Sequence, residues 1–284
     1  NLRLCYSIEH QPFPMTMNMS DTTRTNQHTS SGSDGEHVEP NTDPMDDLYI
    51  LSDLHLGYGR APGTHRYSRL ECFFYDEEFS NFVDKIISNS QSTQRGARLI
   101  LNGDVFDFLS VIKLPDNQTL HREGIRLHHD EHRRGLSSSA IKSAWKMEVI
   151  LKGHPLFCQS LLRFIRAGHT VTITRGNHDP ELFWQPVRDR FYRILAQQEA
   201  QVDSENLSEE DIRTHIEFEH WFYYEKDRIY VEHGHQYEAA NSFRHNLHPL
   251  VPARFTGEET NTIDLPTGSQ FVLHVVNKAR LVDP

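Results

Sequence analysis

Cysteine is scarce in this chain: three among 284 residues, at Cys5, Cys72 and Cys158. Their wide separation fits no zinc-binding spacing and no disulfide framework, so the core must hold the fold. Thiols outside any bridge suit a reducing compartment, and the expected location is cytoplasmic. Excess basic charge is lacking too, since 29 Lys and Arg against 40 Asp and Glu leave a net charge of −11. That balance argues against nonspecific binding to nucleic acid or to an anionic membrane, both of which need clustered cations. No apolar run approaches the roughly 18–20 residues of a membrane span. No charged stretch followed by an apolar one marks a signal peptide.

What is present suffices for one core of ordinary domain size, at 37% hydrophobic residues. Residues 1–45 are rich in Ser, Thr, Asn, Asp, Gly and Pro and read as a disordered leader. A single globular domain is expected over 46–284. Within it, four short polar motifs each follow an apolar run. They are Ser52-Asp53-Leu54-His55, Gly103-Asp104-Val105-Phe106-Asp107, Arg175-Gly176-Asn177-His178-Asp179 and Glu232-His233-Gly234-His235. The runs at 48–51, 98–101, 170–174 and 228–231 predict short buried strands. Polar groups on loops at strand ends are the usual place for a site on an open α/β sheet.

The residue types explain themselves chemically. Asp and His offer hard oxygen and borderline nitrogen ligands, which suit Mn, Zn or Fe. A carboxylate such as Asp104 can bridge two cations, held roughly 3.5–4 Å apart in two-metal hydrolases. Asn177 can add a neutral amide oxygen. His178 beside it can protonate a leaving alkoxide, a contribution of about 10²–10⁴-fold in rate. Asp107 can orient that histidine through a hydrogen bond.

These motifs resemble the calcineurin-like metallophosphoesterase superfamily, whose pattern is D-x-H, GD-x-x-D, GNH[DE], a histidine before glycine, and a final GH-x-H. The resemblance runs over roughly residues 47–238. It implies one divalent metal ion on Asp53, His55 and Asp104, and a second on Asp104, Asn177 and His233. It makes His178 the proton donor, paired with Asp107, and manganese the first choice of metal. It also implies a four-layer α/β/β/α sandwich of two mixed sheets. The expected reaction is in-line hydrolysis of a phosphate ester or pyrophosphate by water or hydroxide held between the two cations. Similarity of the Asp53-Leu54-His55-Leu56 and Gly176-Asn177-His178-Asp179 segments to hydrolases of UDP-2,3-diacylglucosamine favours a nucleotide-linked pyrophosphate as substrate.

One motif departs from that pattern, because no GH-x-H follows residue 235. Either His233 and His235 are the fourth motif and the fifth lies beyond Pro284, or they are the last pair and the fourth is missing. The strand expected just before His233-Gly234 favours the first. His235 is then a further contact to metal or substrate. Two other functions share the motifs: an inactive scaffold of this fold, and a DNA-processing nuclease. A scaffold has no need of His178 beside Asn177, and a nuclease is opposed by the acidic balance.

The remaining elements follow from periodicity. Apolar residues from Phe73 to Ile87 predict a helix over 71–88, followed by a polar turn and a parallel β-strand, a βαβ unit. Residues 109–139 show little periodicity but carry Arg122, Arg126, His128, His129, Arg133 and Arg134, and read as a cap-like insertion. Helices are expected over 140–151, 155–167 and 180–196, the last capped by Asp179 and broken at Pro186. Strands over 218–224 and 228–231 should form a hairpin, and 269–280 an amphipathic helix.

Overall fold

The computed structural model describes residues 46–60, 66–200, 207–251 and 262–282. The leader expected over 1–45 lies outside them, as does Cys5. Four strands, β1 (Asp47–Leu51), β2 (Ala97–Asn102), β3 (Thr170–Thr174) and β4 (Ile216–Glu219), form a sheet in the order 1-2-3-4, parallel throughout. Leu99, Ile100 and Leu101 of β2 are all fully buried. Burial on both faces is what a parallel strand covered by helices requires, and it accounts for an uninterrupted apolar run.

In chain order the helices are α1 (Asp76–Thr93), α2 (Asn117–Glu123), α3 (Glu131–Arg134), α4 (Ala140–Gly153), α5 (Pro155–Arg166), α6 (Gln185–Glu199) and α7 (Glu209–His215). Phe79 of α1 meets Phe157 of α5 with ring centroids 4.7 Å apart, and Phe106 lies against both Phe157 and Phe191. These rings bind the helices to the strand ends where the motifs begin. The α4 and α6 helices pack together, joined at their edge by Arg190, which pairs with Glu148 and reaches Glu123 at 2.7 Å.

Several boundaries differ from the periodic pattern. The first helix starts at Asp76, not 71, because Glu71 turns inward. Its carboxylate accepts the backbone N–H groups of Gly57 and Cys72 at 3.1 Å and of Phe73 at 2.9 Å, and also that of Gly59. A side chain that satisfies local backbone donors competes with the helix. The same helix runs to Thr93, through the expected polar turn, and Gln94 ends it in the left-handed region at φ 54°. The strand expected over 218–224 is two: β4 joins the parallel sheet, whereas β5 (Phe222–Glu225) pairs antiparallel with β6 (Ile229–Glu232). Alternation alone does not reveal a change of sheet at His220 and Trp221.

The hairpin forms as expected, with Asp227 at φ 59° in its turn. The described residues thus form an α/β fold with one parallel sheet and one antiparallel pair, where the resemblance implied two mixed sheets. Asp179 is not a side-chain cap, and Pro186 does split its helix, with a 3₁₀ turn at Pro180–Phe183 before α6.

Residues 109–139 carry the short helices α2 and α3. Buried Glu131 fastens this segment by accepting from Lys142 Nζ at 2.6 Å, Ser137 N at 2.7 Å and His128 N at 2.8 Å. The helix expected over 269–280 appears as α8 (Thr267–Phe271), a π-helical turn (Val272–Val276) and α9 (Asn277–Val282). Ser269 donates to the carbonyl of Asn177 at 3.1 Å and Asn277 to that of Leu109 at 2.8 Å, which ties this tail to the motif loops. Among the described residues no helix is long and apolar enough to cross a membrane.

Candidate metal centre

The loops after β1 and β2 run side by side before anything else converges. The N–H of Asp53 donates to the Gly103 carbonyl at 3.1 Å and that of His55 to the Asp104 carbonyl at 2.9 Å. Asp53, His55 and Asp104 all hold left-handed backbone, at φ 56°, 53° and 51°. For residues other than glycine that region is sparsely populated, and it concentrates at functional loops. Two glycines let the remaining loops approach. A Cβ on Gly103, itself at φ 75°, would lie 2.5 Å from the His233 ring, and one on Gly176 would lie 2.2 Å from Asp104 Oδ1.

Asp104 is the hub. Its Oδ2 lies 3.8 Å from His55 Nε2 and 3.4 Å from His233 Nε2, while its Oδ1 accepts the N–H of His178 at 2.7 Å. Burial alone would raise its pKa. The hydrogen bond from His233 and the nearby imidazoles of His178, His233 and His55 instead hold it well below the carboxylate range. Two groups share it: His55, Asp104 and His178 form one, and Asp53, Asp104 and His233 the other, with ligand atoms within 4.8 Å of one another in each.

Tautomers follow from the neighbours. His233 Nδ1 lies 2.9 Å from the carbonyl of Asn102, which can only accept, so Nδ1 carries a proton and Nε2 faces Asp104. Asn102 is held in turn by Thr174 at 3.0 Å and by the Glu232 carbonyl at 3.0 Å. Burial lowers the proton affinity of His233, but its hydrogen bond to Asp104 and the charges of Asp104, Asp53 and Asp179 raise it to about 9. His178 Nδ1 lies 3.2 Å from Asp107 Oδ1, and its ring meets that of His55 edge-on at 4.6 Å. Burial opposes its protonation too, yet the Asp107 hydrogen bond and the charges of Asp107, Asp104 and Asp179 carry it to about 9.

Two imidazoles that gather protons around one buried carboxylate form a site lacking positive charge. A divalent cation satisfies the same demand, and carboxylate oxygen with imidazole nitrogen is a donor set that fits Mn, Zn or Fe. The residues present therefore fit such an ion.

Other expected residues fall differently. Asn177 is buried beside the hub, with its carbonyl held by Ser269. His235 is buried but lies in neither group. Its Nε2 is 3.4 Å from Asn246 Oδ1, and burial together with the charge of His233 pushes its pKa down to about 4. Asp179 has a role the sequence did not suggest. One oxygen accepts from Gly176 N at 2.6 Å, the other from Val105 N at 2.8 Å and Phe106 N at 3.3 Å. It therefore clamps the third motif to the second.

No curated protein and no solved structure matches the chain significantly. A family model does: that of the calcineurin-like phosphoesterases, over residues 47–265. Because that match takes in most of the chain and all four loops gathered around Asp104, the chain belongs to the calcineurin-like phosphoesterase family, hydrolases that act on phosphate esters.

Proposed function

We propose that the protein is a phosphoesterase that works with two divalent cations sharing Asp104. The observation that carries this reading is that one buried oxygen, Asp104 Oδ2, faces His55 Nε2 at 3.8 Å and His233 Nε2 at 3.4 Å. Asp53, His55 and Asp104 would hold one ion, and Asp104, Asn177 and His233 the other. Manganese is the first candidate. Bound there, the ions would supply an activated water and neutralise charge on the phosphate. His178 holds a proton on Nε2 for the leaving oxygen, and Asp107 fixes its ring through Nδ1. The substrate is a phosphorylated small molecule, with a nucleotide-linked pyrophosphate favoured, and the setting is cytoplasmic. Residues 46–284 act as one domain in which 109–139 serves as a cap.

The grouping of His178 with His55 and Asp104 favours a second role for its imidazole, as a ligand. One experiment separates the roles and tests the reading. Hydrolysis of bis(4-nitrophenyl) phosphate and of 4-nitrophenyl phosphate is followed with Mn²⁺ and with EDTA, alongside metal content, for the wild type and His178→Ala. A proton donor predicts a fall of about 10²–10⁴-fold at unchanged metal content. A ligand predicts loss of metal. Hydrolysis indifferent to EDTA would refute the proposal.

A further inference from the structure

The net charge of −11 is not spread evenly over the chain. Segment 109–139 supplies no ligand to the candidate metal centre, and its part from 126 to 134 is basic. Arg126, Arg133 and Arg134 are exposed there beside His128, His129 and His132, against one exposed carboxylate, Asp130. Asp130 reaches Arg134 only at 3.9 Å, between two exposed side chains, where solvent screens the pair. Glu131, the other acid of this stretch, is buried against Lys142 at 2.6 Å. The positive charge of the segment is therefore left facing solvent.

The tail helix, from α8 to α9, lies beside this segment. Ile263 N donates to Ser138 Oγ at 3.0 Å and Asn277 Nδ2 to the Leu109 carbonyl at 2.8 Å, one contact at each end of 109–139. Arg134 and Lys278 both stand near His274, whose pKa is lowered by partial burial and then by their two charges. From Leu265 to Val282 the sequence contains no Asp or Glu. Nor do the apolar residues of this helix turn inward. No residue of Val272–Val276 is buried, while Phe271 is 57% exposed and Val275 47%. Standing four positions apart, Phe271 and Val275 project from one side of the helix. A contiguous apolar surface of this kind marks an interaction site.

We propose that this face docks on a bilayer containing anionic phospholipid, with Arg134 and Lys278 at the headgroups and Phe271 and Val275 entering the boundary with the acyl chains. Arg126 and Arg133 add attraction at longer range. Apolar side chains rimmed by cations are what a helix needs to lie in a membrane interface, and the acidic balance of the rest of the chain orients this face toward it. The apolar residues Val272, Leu273, Val275 and Val276 are aliphatic, which suits acyl chains, whereas a nucleic acid calls for aromatic platforms. Ser269 and Asn277 join the same helix to the carbonyls of Asn177 and Leu109, so the docked element is bonded directly to the motif loops.

The test is co-sedimentation of the full chain with vesicles of phosphatidylcholine alone and of phosphatidylcholine with an equal part of phosphatidylglycerol. The wild type is expected to bind the anionic vesicles saturably and the neutral ones hardly at all, and to release them as salt rises. Arg134→Gln combined with Lys278→Gln should weaken binding about fivefold for each charge removed. Phe271→Ser combined with Val275→Ser should weaken it about tenfold, because apolar surface no longer leaves water. Lys152→Gln removes an exposed cation at the far end of α4 and should bind as the wild type does. All four residues changed on the docking face are exposed, so those variants are expected to fold, which circular dichroism checks. The lipid and salt dependence of the wild type decides the matter if a variant does not. Equal binding to both vesicles, no binding by the wild type, an equal loss in Lys152→Gln, or undiminished binding after Phe271→Ser with Val275→Ser would each overturn the proposal. So would a labelled single-stranded oligonucleotide bound more tightly than the anionic vesicles, which would assign the face to nucleic acid.

Discussion

Raising the pH should weaken the fold through one buried histidine. His154, between α4 and α5, has a fully buried side chain with Nδ1 3.1 Å from Asp76 Oδ2 and Nε2 3.5 Å from Glu71 Oε2. Burial disfavours its charge, but its hydrogen bond to Asp76 and the nearby carboxylates of Asp76 and Glu71 raise its pKa from 6.5 to about 9. At about 1.4 kcal/mol per tenfold change in proton affinity, that rise corresponds to on the order of 3 kcal/mol of folding free energy. The folded state holds the proton more tightly than the unfolded one, so this contribution is complete below pH 6.5 and is lost as pH climbs through about 9.

The contribution bears on the site because Glu71 also fastens the backbone of Gly57 and Gly59, just after His55. Urea unfolding of metal-free protein at pH 6, 7.5 and 9.5 measures it directly. Because His178 and His233 also reach about 9 and add their own losses, the wild type should lose more than roughly 3 kcal/mol across that range, and His154→Gln should lower that loss by roughly 3 kcal/mol and Glu71→Gln by part of it. A wild-type stability that is level from pH 6 to 9.5, or an equal slope in both variants, would refute the reasoning.

Two further perturbations address the loops. Gly176→Ala would place a methyl group 2.2 Å from Asp104 Oδ1, and it should weaken cation binding at least about tenfold in calorimetric titration, with the fold intact by circular dichroism. Asp179→Ala leaves three buried N–H donors unmet, at about 1–3 kcal/mol each. Burial and the charge of Asp104 push the Asp179 carboxyl up to about 7, so unfolding measured at pH 5 avoids counting relief of a buried charge. A change there below about 0.5 kcal/mol would show that the clamp carries no weight.

Strands β1, β2 and β3 of the parallel sheet were legible because each is an apolar run of the expected length that ends in a motif loop, whereas β4 ends in none. Thr170–Thr174 agrees residue for residue with its pattern. Helix α1 was legible in type but not in start, since the carboxylate of Glu71 satisfies backbone donors from two separate stretches, which no local periodicity encodes. The same reason hid the clamp at Asp179: its partners Val105 and Phe106 stand more than seventy positions away. The hold of Asn102 on His233 is made by a backbone carbonyl, to which residue type gives no clue. The candidate metal groups were visible as residue types, yet their division was not. The structure sets His178 with His55, and Asp53 with His233, because side-chain direction follows loop conformation and not motif order.

The claim that a single carboxylate serves two cations is tested most directly by titrating Mn²⁺ into metal-free wild type and Asp104→Asn while counting the ions bound. Two ions per chain are expected for the wild type, with both weakened together in the variant, because Asp104 Oδ2 faces both His55 and His233. One ion that keeps its wild-type affinity in Asp104→Asn would contradict a shared ligand.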